Sequence, residues 1–66
     1  MTTTIREETR NGYYIGVDLT MRYDHPVYHV IIARDFGDYV GYPVRESWTP
    51  SRSNAMATYR RYSKSI

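Results

Sequence analysis

The chain contains no cysteine. That removes the disulfide framework of small secreted scaffolds, the thiolate nucleophile, and the usual ligands of zinc fingers and iron–sulfur clusters. No apolar run approaches the roughly 20 residues a membrane-spanning helix needs. The first residues, Met1 to Glu8, are polar and carry two acids, so they do not read as a signal peptide. A soluble cytoplasmic protein with no membrane association is expected. The four glycines, Gly12, Gly16, Gly37 and Gly41, lie apart, and no phosphate-cradling loop is present. Acids are missing from residues 49–66, which hold Arg52, Arg60, Arg61 and Lys64 and no counter-charge. Residues 1–24 and 25–48 each sum to −1, so the basic character lies in the C-terminal segment.

What remains is 66 residues, enough for a single domain. A chain this short buries only about 60% of the surface its unfolded form exposes, so good packing or a partner must support it. Tyrosine accounts for eight of the ten aromatics. A rigid apolar ring with a polar tip suits strands and contact surfaces alike.

From Tyr13 to Tyr23 the odd positions read Tyr, Ile, Val, Leu, Met, Tyr and the even ones Tyr, Gly, Asp, Thr, Arg. A period of two over this length is a strand with one buried face. Asn11-Gly12 before it signals a hairpin. A two-residue loop would place Arg6, Glu8 and Arg10 on the core face. A three-residue loop, Arg10-Asn11-Gly12, pairs Thr9 with Tyr13 and Ile5 with Val17. That register brings Ile5 to the core and is preferred, with the first strand at about residues 3–9. Tyr23 to Pro26 forms the next turn. Pairing Arg22 with Val27 sets Leu19 against Val30 and Val17 against Ile32, with a third strand over residues 27–36 that is apolar on both faces, as a central strand is. Phe36-Gly37-Asp38 turns the chain into a fourth strand, Tyr39 to about Trp48, whose Pro43 marks an edge or a bulge. Ser51 or Ser53 caps a helix in which Ala55, Tyr59, Tyr62 and Ile66 form one apolar stripe. The expected fold is α+β, one ββββα domain over residues 1–66: a four-stranded antiparallel meander with a C-terminal helix on one face.

Catalytic chemistry finds little footing. His25 and His29 are four apart but separated by Pro26, so they share no helix face, and no ligand set completes a metal site. Asp18, Thr20 and His29 converge on the sheet face opposite the helix, with Thr20 opposite His29, yet a flat sheet face neither excludes water nor forms a pocket. Glu7 and Glu8 are adjacent on a strand and point to opposite faces. The serines lack any nucleophile context. No catalytic, metal or cofactor site is expected, and the chain reads as a non-enzyme.

Two features point to binding. The open sheet face gathers Tyr14, Val27, Ile31, Ala33 and His29 beside Thr20 and Asp18, with Val40 or Tyr42 and Val44 joining according to the register of the fourth strand. An apolar centre with a polar rim marks an interface. Tyr14, His29 and Ile31 are the candidate contact residues, with Arg60 and Arg61 as a basic rim. The C-terminal run of cations could also track phosphates, with Tyr59 or Tyr62 stacking.

The plan of short hairpins and a terminal helix with an Ala-x-x-x-Tyr motif, Ala55 and Tyr59 here, resembles small proteins of phages and mobile elements of the anti-CRISPR or anti-restriction type. The resemblance implies an inhibitor that docks on a host protein or nucleoprotein complex in the host cytoplasm. Inhibitors that mimic DNA are strongly acidic, whereas this chain carries a net +2, so docking on a protein surface is the implied mode. A nucleic-acid-binding module using the basic C-terminal helix is the alternative, and a homodimer through the open face is the other use of that surface.

Overall fold

The alternation around residues 13–23 folds as expected into the second strand of a meander. The computed structural model describes residues 2–66, as β1 (Thr2–Arg10), β2 (Tyr13–Arg22), β3 (His25–Asp35), β4 (Val40–Thr49) and α1 (Arg52–Lys64). The sheet order is β1-β2-β3-β4, with every neighbouring pair antiparallel. Odd residues of β2 and even residues of β3 face the helix. Ile15, Val17, Val30 and Ile32 meet Ala55, Tyr59 and Tyr62 there, and all seven are buried. Each fully buried aliphatic side chain contributes on the order of 1.5–3 kcal/mol relative to exposure. Ile5, Tyr13, Tyr28, Met56 and Ile66 close the margin of this core.

The helix begins where Pro50 ends the sheet. Ser51 is its N-cap: backbone extended, its hydroxyl accepting from the Asn54 amide at 3.2 Å. Arg61 and Lys64 occupy the last turn, where cations complement the helix dipole. At thirteen residues and with this composition, α1 is neither long nor apolar enough to cross a membrane, and no other helix occurs among the described residues.

Both hairpin registers differ from expectation. The β1–β2 loop has two residues, Asn11 and Gly12, at φ 54° and 79°. It pairs Arg10 with Tyr13, Glu8 with Ile15 and Arg6 with Val17. A register shift between Thr4 and Arg6 then returns Thr3 to Leu19. The irregularity lets Ile5 pack against the core although Arg6, Glu8 and Arg10 also lie on the helix side. The charges are tolerated because β1 is an edge strand and their heads reach polar groups at the helix flank. The β2–β3 loop is likewise two residues, Tyr23 and Asp24, both left-handed at φ 52° and 65°. Arg22 therefore pairs with His25, Val17 with Val30 and Ile15 with Ile32, a slide of two residues from the expected pairing. A slide of two preserves which face each side chain occupies, so the core came out unchanged. Thr20 now opposes Val27, and Asp18 opposes His29. Pro26 sits inside β3, but β4 begins to pair only at Tyr28, so the missing N–H falls where β3 has no second neighbour. The β3–β4 register shifts on either side of the Ala33–Pro43 pair, so the proline lies at an irregularity of an edge strand, where a missing N–H is tolerated.

Candidate binding face

The open face is built from alternate residues of all four strands. Across β2 and β3 the pairs run Tyr14 with Ala33, Gly16 with Ile31, Asp18 with His29 and Thr20 with Val27. From the edges, Glu7 of β1 lies beside Gly16, while Glu46 and Trp48 of β4 lie beside Ile31 and His29.

One corner is an aromatic stack. The His29 and Trp48 rings are parallel within 4°, their centroids 3.7 Å apart. The Arg22 guanidinium stands 4.5 Å from the Trp48 ring, and Glu46 Oε2 lies 3.3 Å from His29 Nε2. A diagonal of charge, ring, ring and charge therefore crosses three strands. Trp48 remains 43% exposed, so the stack orients the indole without hiding it.

The other corner is a covered glycine. A methyl at Gly16 would stand 2.5 Å from the Tyr14 hydroxyl and 2.9 Å from its ring. The phenol lies flat over the Gly16 backbone and donates to Glu7 Oε2 at 2.8 Å. Burial pushes the Tyr14 pKa up to about 12, helped by the bond to Glu7, the Glu7 charge and the charge of Asp18. Phe36 covers Gly41 of β4 in the same manner and stacks on Tyr39 at 5.0 Å. With Val40 and Tyr42 these rings line an open cleft of about 670 Å³ at the start of β4.

The structure brings Tyr14, His29 and Ile31 onto one surface. It does not bring Arg60 or Arg61 to them: both are exposed on α1, across the sheet, and form no rim to this face. Ala33 is fully buried, and Val27 and Ile31 are half-buried, so the face exposes less aliphatic surface than expected. Val44 lies on the helix side beside Tyr13 and Ile66, whereas the face is completed by Trp48 and Glu46 of β4, with Arg22 at the end of β2. Counting back from Thr49 opposite Tyr28 would have found them, because alternation then puts Trp48 beside His29.

The helix side has its own polar edge. Arg10 donates to the Ser63 carbonyl and hydroxyl, and Ser63 Oγ donates to Glu8 at 2.9 Å. That bond, opposed by a smaller desolvation and aided by Tyr59 and the charges of Arg10 and Arg6, holds the Glu8 carboxyl below its ordinary value of 4.5. Among the described residues the buried Tyr59 hydroxyl has no partner in hydrogen-bonding geometry. Burial and then the nearby Glu8 carboxylate raise its pKa, and the Arg6 guanidinium lies 5.0 Å over its ring.

No family model, curated protein or solved structure matches the chain.

Proposed function

We propose that the chain is a small non-enzymatic binding protein that acts by protein–protein contact through the open sheet face. The observation that carries this reading is Trp48: a half-exposed indole held by His29 on a rigid sheet and flanked by Arg22. An oriented tryptophan beside an arginine is the residue chemistry of an interface hot spot, and a preorganised ring loses little entropy on binding. Charge selects the partner. Glu7, Asp18 and Glu46 lie around Ile31 and the stack, with Arg22 the single cationic side chain of the face among the described residues. Such a surface suits a basic protein surface of the kind that holds nucleic acid in a nuclease. The net +2 conceals this local acidity. The outline resemblance to phage and mobile-element inhibitors of nuclease defence complexes agrees with it, and the expected place of action is the host cytoplasm.

The test is capture from a nuclease-treated host lysate by wild type, Trp48→Ala, Ile31→Asp and an Arg60→Gln/Arg61→Gln double variant. A basic protein should be retained by wild type and by the double variant, and lost by the first two. The purified pair should then change the emission of Trp48, the sole tryptophan. Retention unaffected by Trp48→Ala would remove the open face from consideration.

A further inference from the structure

We infer that the opposite side of the molecule, where the helix lies, is a binding surface for the phosphate backbone of duplex nucleic acid. The sequence places four cations on α1: Arg52, Arg60, Arg61 and Lys64. Folding adds four more from the sheet. Arg6 and Arg10 flank the helix from β1, through the Tyr59 ring and Ser63. Arg34 lies 5.2 Å over the ring of Tyr13, a residue of the core margin, and Arg45 lines a small hollow with Tyr13 and Ile66. Eight of the nine basic residues thus share this side with one acid, Glu8. The six other acids lie on the open face or in the turns. All eight cations are exposed, and among the described residues only Arg10 is within ion-pair distance of a carboxylate, at 3.9 Å. Unneutralised charge of one sign, gathered from β1, β3, β4 and α1, is the electrostatic footprint of a polyanion site.

The chemistry of the same side chooses among polyanions. Of its aromatic rings, Tyr59 and Tyr62 are buried in the core, Tyr28 is half-buried at its margin, and Tyr13 is half-buried under Arg34. Phe36, half-exposed and 6.0 Å from Arg34, lies at the edge of this side and is stacked on Tyr39. Among the described residues no ring therefore stands between the helix cations to take unpaired bases, which single-strand binding relies on. The apolar stripe of the helix is likewise buried against the sheet, so there is no face to insert into a lipid interface. What faces outward is charge. A thirteen-residue helix is about 20 Å long, a length of duplex axis over which each strand carries about six phosphates. Contact of this kind positions a protein on a duplex without reading its sequence.

The experiment is a fluorescence-anisotropy titration of a labelled mixed-sequence DNA duplex with the full chain over a range of salt concentrations. Binding is expected, with log K falling against log salt at a slope of about −4 to −5. Arg60→Gln/Lys64→Gln, on the outer helix stripe, should reduce that slope by about two and weaken binding at least tenfold at low salt. Arg6→Gln should remove about one more, which a site confined to the helix would not show. Trp48→Ala should bind the duplex as wild type does, which keeps this surface separate from the protein-contact face. Far-ultraviolet circular dichroism of each variant checks that the fold is kept. The inference fails if the duplex does not bind at low salt, or if the double variant keeps the wild-type slope. It also fails if the matching single strand or anionic vesicles bind more tightly than the duplex.

Discussion

The two faces of one sheet have been put to different uses, and the difference shows in what their tyrosines do. On the helix side Tyr59 and Tyr62 are buried, at 1% and 7% exposure, and form the core with Ala55 and four aliphatic residues of the sheet. On the open side Tyr14 lies over a glycine and Trp48 stacks on His29, both still accessible. Cations crowd the first side and acids the second. A chain of 66 residues has a single helix to cover a sheet with two faces. The uncovered face must therefore be stabilised by side chains packing laterally across strands, and that lateral packing leaves rings at the surface in fixed orientations. The lesson is that stability and recognition are separated by the sheet itself, which allows each to be broken alone.

The largest expected effect follows directly. Tyr59→Ala should cost about 3–5 kcal/mol, as removal of a large buried ring does, and would leave so small a domain largely unfolded. Trp48→Ala should cost about 1 kcal/mol, since it deletes a stacking pair at a half-exposed site. Urea denaturation followed by circular dichroism reads both. If the two variants lose equal stability, the open face is part of the core and the separation collapses.

The fold was legible because alternation survives errors of register. Alternation puts Ile15, Val17, Val30 and Ile32 on the helix face, and the two-residue slide of β2 against β3 leaves them there. The single-residue choice at the first hairpin was the one that mattered. The sequence argues for the other register, because three charges on a core face carry a high cost. That cost is small at an edge strand, where Arg6, Glu8 and Arg10 reach Tyr59 and Ser63. The observed register also adds Arg6 and Arg10 to the basic surface, whereas Arg34 needs only the alternation of β3 to be placed there. Of the candidate contact residues, Tyr14, His29 and Ile31 needed only alternation to be placed together. Trp48 depended on a strand-four register that Pro43 obscures.

The two hairpin turns sharpen this point. Both place two residues at positive φ. Asn11-Gly12 is the pair such a turn favours, while Tyr23-Asp24 holds a bulky side chain in the left-handed region, 88% exposed. The second turn carries strain that nothing in the packing of Tyr23 offsets. Replacing Tyr23-Asp24 with Asn-Gly should raise stability by about 1 kcal/mol, seen as a higher urea midpoint with an unchanged slope. Gly12→Ala in the first turn should lower it by about the same amount. A stability loss in the redesigned second turn would mean that Tyr23 makes a contact that its exposure does not suggest.

The smallest effects lie on the pH axis, where Tyr14 of the open face and Tyr59 of the helix side act at the alkaline end and Glu8 at the acid end. Tyr14 is held above its ordinary value of 10, at about 12, so its neutral form is the one the fold favours. Its contribution is complete below pH 10 and is lost as pH rises through 12. Glu8 is held below its ordinary value of 4.5, so its charged form is favoured. Its contribution is present above pH 4.5 and is lost as pH falls through the depressed value. Tyr14→Phe should therefore make the alkaline limb of the stability profile shallower and leave the acid limb alone. Glu8→Gln should flatten the acid limb and, by removing the charge beside Tyr59, also reduce the alkaline limb. The wild-type minus Tyr14→Phe difference in tyrosinate absorbance should titrate later than the bulk of the tyrosines. Gly16→Ala, whose methyl takes the place of the Tyr14 ring, should move that difference back toward 10. If it does not, the phenol keeps its bond to Glu7 without lying on the glycine, and the open face owes its order to the Trp48 stack alone.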